Sequence, residues 1–487
     1  MAPPLFFFTL RSSERNGVSQ KVALRRTCLL RPAGPMKPHQ RLLASCLVGA
    51  LLSAIPATAQ VPPRRMYYGN ASQSAPSVPA TTITVDPQRA ADLADGTAVP
   101  RGARAVRIQR EGEVIRQRPH GEAPRRGTAA RGALLPALEA TQGVGCRGVW
   151  VRVGVDAWVC SDGGVSFSRD APQTAVLPAV PDGQVVPYQY AYATRAGVRT
   201  FRRLDDVRDD NWAEELERGM SVAVTGTEHV DEGTFVRTAG GRWVALRDLS
   251  WARPSERAGI FFEPGETLAS VAFLRVDARA WPTPEDAARG RSADPPVQLT
   301  RRDGVHVREE RTVRGRAWSR LDAGWVQSSA LLRATASAAP ADLADSERWV
   351  DVDRTRQVLV AFEGARPVFS TLVSTGRRGN ETVTGEHRVW VKLATTDMSN
   401  VDNVDLYSAT ALYTVSRVPW VMFFHNDQAL HGAFWHDRFG AAHSHGCVNL
   451  APRDAAWLYT WAPPNAPPGW TAVMPTNAEP GLRVRVR

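Results

Sequence analysis

Apolar positions in this chain recur mostly at every second residue, and the segments that do so are short. Between Val350 and Glu363 apolar and polar residues alternate (Val350, Val352, then Val358, Val360 and Phe362). After Gly364 the run Pro367 to Ser374 follows as the returning arm of a hairpin. His387-Arg388-Val389-Trp390-Val391 reads as a further strand. Only Ala451 to Trp461 departs clearly from that period: Pro452 early and Asp454 in the first turn predict a short helix that packs Trp457 and Leu458.

Upstream, one pattern appears three times. Trp150-Val151-Arg152-Val153 is followed by Trp158-Val159, Phe235-Val236-Arg237-Thr238 by Trp243-Val244, and Trp318-Ser319-Arg320-Leu321 by Trp325-Val326. A Gly- or Asp-bearing turn separates the two halves each time, which predicts three hairpins in three small β units, their tryptophans mainly core residues. The insertion from Asp205 to Leu216 departs from a minimal unit.

The one long apolar run is of a different kind. Met36-Lys37-Pro38-His39-Gln40-Arg41 precedes an uncharged stretch from Leu42 to Ile55 and then Ala57-Thr58-Ala59, the layout of a secretory signal peptide cleaved after Ala59. The run is too short for a comfortable membrane span. Residues 1–59 therefore read as a leader, with translation expected to start at Met36, and 60–100, rich in Pro, Ala, Ser and Thr, as a flexible linker. The full chain of 487 residues carries a formal charge of +11, which would raise nucleic acid as a partner. Eight Lys/Arg against Glu14 give the leader +7, so the mature chain keeps only +4 and the nucleic-acid reading loses its support. The same cut removes Cys28 and Cys46. Of the remaining cysteines, Cys146 and Cys160 bracket the first hairpin and are expected to form a disulfide in an exported protein, which leaves Cys447 as a thiol.

Cys447 lies beside the densest cluster of histidines. Five of the ten fall between 425 and 445: His425, His431, His436, His443 and His445. A cysteine nucleophile served by a histidine base is one chemistry that uses such a cluster. In that reading Gly446 lets substrate approach and leaves backbone N–H groups facing an oxyanion. Zinc held by His443, His445 and Cys447 is a second, although no His-Glu-x-x-His occurs. A buried thiol among solvated histidines is the third. The predicted helix after Cys447 would bring partial positive charge close enough to favour a thiolate.

Ser444-His445-Gly446-Cys447-Val448-Asn449, preceded by Leu430-His431-Gly432, resembles the signature of L,D-transpeptidases of the YkuD type. Val418-Pro419-Trp420-Val421-Met422-Phe423-Phe424 and Asp454-Ala455-Ala456-Trp457-Leu458 fit the same family. The resemblance implies Cys447 as nucleophile, His431 as general acid/base and the carbonyl of Gly432 as the group that orients the imidazole. It places His445 and Gly446 in the oxyanion and substrate region and gives Ser444 and Asn449 to holding the loop. His425, His436 and His443 lie outside the common motif and are expected to be solvated or to flank substrate. The three upstream units resemble bacterial SH3-like domains. The expected architecture is thus mainly β: SH3-like β-barrel modules at 101–168, 185–252 and 268–335, a β-sandwich catalytic domain with short helices at 347–464, and a tail at 465–487. The family implies peptidoglycan stem peptides as donor and acceptor, 3→3 cross-links with release of D-alanine, acylation by carbapenem-type inhibitors, a periplasmic or cell-envelope setting, and no metal or organic cofactor. An L,D-carboxypeptidase, a protein-anchoring transpeptidase and a non-catalytic wall-binding protein are the alternatives.

Overall fold

The computed structural model describes residues 99–399 and 414–487. The leader with its signal peptide, the start at Met36 and nearly all of the linker at 60–100 lie outside the described residues. Among those described, no helix is long and apolar enough to cross a membrane.

Two sheets hold the molecule together. The first has six strands in the order Ile260–Phe261, Arg366–Leu372, Val358–Glu363, Arg348–Asp353, Arg483–Val486 and Gly385–Arg388. The second has ten, running Val448–Leu450, Gln428–Gly432, Thr414–His425, Val391–Ser399, Trp470–Val473, Arg125–Ala129, Glu113–Arg116, Ala157–Cys160, Trp150–Gly154 and Glu139–Thr141. Val350, Val352 and Leu359 of the first sheet pack with Met422, Phe424 and Leu430 of the second, and the helix Pro452–Trp461 adds Leu458 and Tyr459 to the same core. The helix starts as its sequence dictates, with Pro452 in the first turn and Asp454 after it. Its other end is covered by Lys392, fully buried, whose ammonium donates to the carbonyls of Tyr459 (2.6 Å), Ala462 (2.6 Å) and Pro464 (2.9 Å).

The alternation at 350–363 resolves into two antiparallel strands. From Trp349 to Asp353 every residue is buried, because sheet lies on one side and the Asp351 and Asp353 carboxylates meet Arg485 and Arg487 on the other. Burial on both faces needs partners for those charges, and the last strand of the chain supplies them. The single strand expected at 387–391 is instead divided. Gly385–Arg388 belongs to the six-stranded sheet and Val391–Ser399 to the ten-stranded one, and Val389-Trp390 crosses between them. Gly481 permits the crossing, since a Cβ there would stand 1.8 Å from the Val389 carbonyl oxygen.

Residues 465–487 are not a tail. Trp470–Val473 pairs with Val391–Ser399 on one side and with Arg125–Ala129 on the other, and Arg483–Val486 pairs in parallel with Arg348–Asp353. The apolar residues of that segment (Trp470, Ala472, Val473, then Val484 and Val486) are all buried and carry the reason.

Each of the three expected hairpins forms: Trp150–Gly154 with Ala157–Cys160, Gly233–Thr238 with Trp243–Ala245, and Arg316–Leu321 with Gly324–Gln327. Trp150, Trp318 and Trp325 are buried, whereas Trp158 and Trp243 remain partly exposed. Cys146 and Cys160 are joined in a disulfide. The first unit shares its core (Val106, Ile115, Val151, Val159) with Trp470 and Val473 of the catalytic portion. The second presents Tyr190, which stacks on Phe434 at 3.6 Å between ring centroids and donates its hydroxyl to the Arg417 carbonyl (2.8 Å). The third meets the six-stranded sheet through Phe273, which shares a cluster with Leu372 and Phe439.

Candidate active site

The site is built on two parallel strands at the edge of the ten-stranded sheet. Gln428–Gly432 and Val448–Leu450 pair so that Leu430 faces Val448 and His431 faces Asn449. Side chains alternate along a strand, so His431, Asn449 and Cys447, one residue before the strand begins, share one face. Register alone therefore brings to His431 two residues that the sequence sets sixteen and eighteen positions away.

His431 is 2% exposed and its Nδ1 lies 3.2 Å from the Gly432 carbonyl oxygen. A carbonyl only accepts, so Nδ1 carries the proton and Nε2 is left as the base. The ring stacks against Trp435 at 5.5 Å. Gly432 leaves the space this arrangement needs, since a Cβ there would stand 3.0 Å from the Trp420 ring and 3.3 Å from Ala455. Burial lowers the His431 pKa to about 4, against a smaller opposite effect of the Gly432 hydrogen bond.

Cys447 keeps some solvent contact while packing against the cluster of Val418, Val421 and Ala429. Its thiol points to the Asp427 carbonyl at 3.7 Å. Burial pushes the thiol up to about 11; a hydrogen bond from Ala429 opposes this and Asp427 adds to it. The residue's partial exposure tempers the size of that effect and leaves its direction. The expectation of a thiolate favoured by a helix start is therefore corrected. The strand Val448–Leu450 intervenes, Pro452 opens the helix beyond it, and burial dominates.

The loop before Cys447 is held from within. Ser444 donates its hydroxyl to the Cys447 carbonyl (2.5 Å) and accepts from the Gly446 N–H (3.1 Å). That second bond uses the Gly446 N–H, so it is not a free donor for an oxyanion. Gly446 serves the loop by conformation instead: its φ of +127° disfavours side chains, and a Cβ would stand 2.9 Å from Gln428 Nε2. Its carbonyl accepts from the Thr382 hydroxyl at 2.8 Å. His445 lies on the outer side, its Nε2 2.8 Å from an Arg377 guanidinium nitrogen.

His436 is the residue whose place the sequence obscures. It is largely enclosed, with Nε2 2.9 Å from the Asn449 side-chain amide and Nδ1 accepting the Arg438 N–H at 3.1 Å. An accepting Nδ1 puts the neutral ring's proton on Nε2, which then requires an oxygen opposite it. Asn449 Oδ1 is otherwise buried without a partner, so the amide is best read with that oxygen towards His436. Burial, with His443 and His431 nearby, lowers the His436 pKa to about 4. His436 is thus a prop for Asn449 and not a solvated flank. His443 is partly exposed beside it, at 5.2 Å between ring centroids, and His425 sits by His387 at 4.9 Å. The only signal for His436 in the sequence was its place five residues after His431; its partner is set by the loop path.

Asp437, next in the chain, anchors that loop to the upstream units. Its carboxylate accepts from Ser255 (2.6 Å) and Arg257 (3.0 Å), and its carbonyl from Arg302 (2.6 Å).

Residues 347–476 match the YkuD family, the L,D-transpeptidase catalytic domain, and this portion of the chain is such a domain. No curated protein matches the chain in sequence. Among solved structures it is similar to an L,D-transpeptidase of Enterococcus faecium, at 18% identity and a TM-score of 0.23 over 29% of this chain and 50% of that one. An L,D-transpeptidase from Stackebrandtia nassauensis gives 26% and 0.21, over 31% of this chain and 60% of that one. The L,D-transpeptidase LdtMt1 in complex with imipenem gives 15% and 0.24, over 55% and 93%. The chain thus spans half to three-fifths of the length of the first two. The family match and the site's own geometry carry the assignment.

Proposed function

We propose that the chain is an exported peptidoglycan L,D-transpeptidase that forms 3→3 cross-links through an acyl-enzyme on Cys447. The observation that carries this reading is the parallel register that sets Cys447, His431 and Asn449 on one face beneath a loop held by Ser444. The thiol and imidazole begin neutral. As sulfur attacks the carbonyl carbon of the third stem residue, its proton passes to His431 Nε2. The C–N bond to D-alanine breaks, and His431 returns that proton to the leaving amine. An amine of a second stem then attacks the thioester and gives its proton to His431. The new amide forms as the thiolate leaves and recovers the proton.

The reading extends to the setting. The leader at 1–59 delivers the chain to the periplasm or cell envelope, and the three upstream units act as SH3-like modules that place the catalytic domain on the wall. The same nucleophile accounts for acylation by carbapenems, the class of the imipenem bound to LdtMt1.

Purified protein incubated with defined tetrapeptide muropeptides should yield a cross-linked dimer lighter than two monomers by one D-alanine, read by mass spectrometry. Tripeptide without dimer would identify water as the acceptor and an L,D-carboxypeptidase. Product formation that survives Cys447→Ala would overturn the nucleophile.

A further inference from the structure

A second concave site lies beside the loop that carries His436. A cavity of about 740 Å³ opens between the third β unit and the six-stranded sheet, with Phe273 and Leu372 among its apolar residues and Gly440 of the loop at its rim. Five arginines line it, Arg275, Arg301, Arg302, Arg333 and Arg356, and no carboxylate does. Several arginines elsewhere are held by acids, as Arg308 is by Glu263 and Asp322 and Arg483 by Asp342 and Glu347. Here the side chains of Arg275 and Arg301 have neither ion pair nor hydrogen bond among the described residues. The other three are engaged: Arg333 pairs with Glu310, Arg302 lies 3.9 Å from the Asp437 carboxylate, and Arg356 donates to the Thr335 hydroxyl (3.1 Å). Asp277 accepts the Arg301 backbone N–H (2.7 Å), and Asp303 faces Arg257 at 3.5 Å.

Arg275 and Arg301 thus keep uncompensated guanidinium groups at the cavity, and their planar donor pairs match oxyanions. The backbone supports the arrangement at some cost. Arg302 has φ +75°, a conformation rare for a residue with a side chain, and from there it donates to the Asp437 carbonyl. One wall of the cavity is therefore bonded to the residue next to His436.

We propose that this cavity binds the free carboxylates of a peptidoglycan stem peptide, an acidic peptide, while another stem occupies the catalytic groove; the identity of the ligand rests on the transpeptidase reading. The cavity's volume suits a short peptide, its charge suits several carboxylates, and Arg302 connects its occupancy to the loop over Asn449.

The test is calorimetric, with the full chain carrying Cys447→Ala so that nothing turns over. The ligands are a disaccharide-tetrapeptide, the same compound with its carboxylates amidated, and tripolyphosphate. Arg275→Ser/Arg301→Ser, added to that background and checked for an unchanged melting temperature, should weaken tetrapeptide binding at least tenfold, and amidation should do the same to the parent. Binding indifferent to both changes overturns the site. Tripolyphosphate bound more tightly than the tetrapeptide overturns the peptide in favour of a phosphate ligand. Cross-linking by the unsubstituted enzyme separates the two readings. Turnover without arginine-dependent binding refutes the cavity alone, and arginine-dependent binding without turnover refutes the reaction alone.

Discussion

Cys447 and His431 lie on one strand face and burial favours the neutral form of each, which has a consequence in pH. With the thiol pushed up by burial, its thiolate fraction at neutral pH lies below that of an ordinary cysteine. Alkylation of Cys447 by iodoacetamide should accordingly be slow at pH 7 and rise close to tenfold per pH unit through pH 9; a plateau near pH 7 would show a preformed thiolate. The histidines act on stability in the opposite range. His431 and His436 are held neutral down to about 4, while unfolded imidazole titrates near 6.5. Between those values the unfolded chain binds more protons, so their contribution to stability is present above pH 6.5 and is lost as pH falls towards 4. Thermal melts should show that loss, and His436→Gln should shrink it. The same residue offers a catalytic test. His436→Ala should cut the rate of acylation by about tenfold or more, whereas His436→Gln, which keeps a donor near the Nε2 position, should restore most of it; equal loss in both would limit His436 to packing. The proposed nucleophile and base could be named from the sequence because their motif is local. The part of His436 could not, because its partner is fixed by a loop path that no spacing encodes.

At the scale of elements, hydrophobic period identified the strands and the helix, and failed where one element depends on another. Lys392 shows this. In the sequence it is one charge in a strand, Val391–Ser399; in the fold it closes the C-terminal end of the helix Pro452–Trp461. Burial lowers its pKa to about 7, while three accepting carbonyls keep its ammonium useful. Lys392→Met preserves length and removes every one of those bonds, so it should cost about 2–4 kcal/mol in urea unfolding, the range expected for buried carbonyls left without a charged donor. An unchanged midpoint would mean that water replaces the ammonium. The divided strand at 387–391 has the same origin: its residues alternate as one strand, but Gly481, ninety positions later, decides that the chain crosses between sheets there.

For the whole molecule, the boundary between catalytic portion and tail was the least legible feature, because short alternating segments near a chain end look dispensable until their partners are known. Trp470–Val473 joins the catalytic strands to the first β unit, and Arg483–Val486 lies inside the six-stranded sheet. Ending the chain after Pro464 should therefore abolish cooperative melting and carbapenem acylation alike; a truncated protein that still acylates would show that the sandwich closes without these strands. The position of Arg483–Val486 also sets an order of events. Arg348–Asp353 and Gly385–Arg388 both precede this strand in the chain, yet they pair only with it between them. Until it arrives both strands keep open edges and Asp351 lacks the arginines that neutralise it. The six-stranded sheet thus reaches its final form only once this late strand has been made, and a chain interrupted before it is left with an unfinished, adhesive edge.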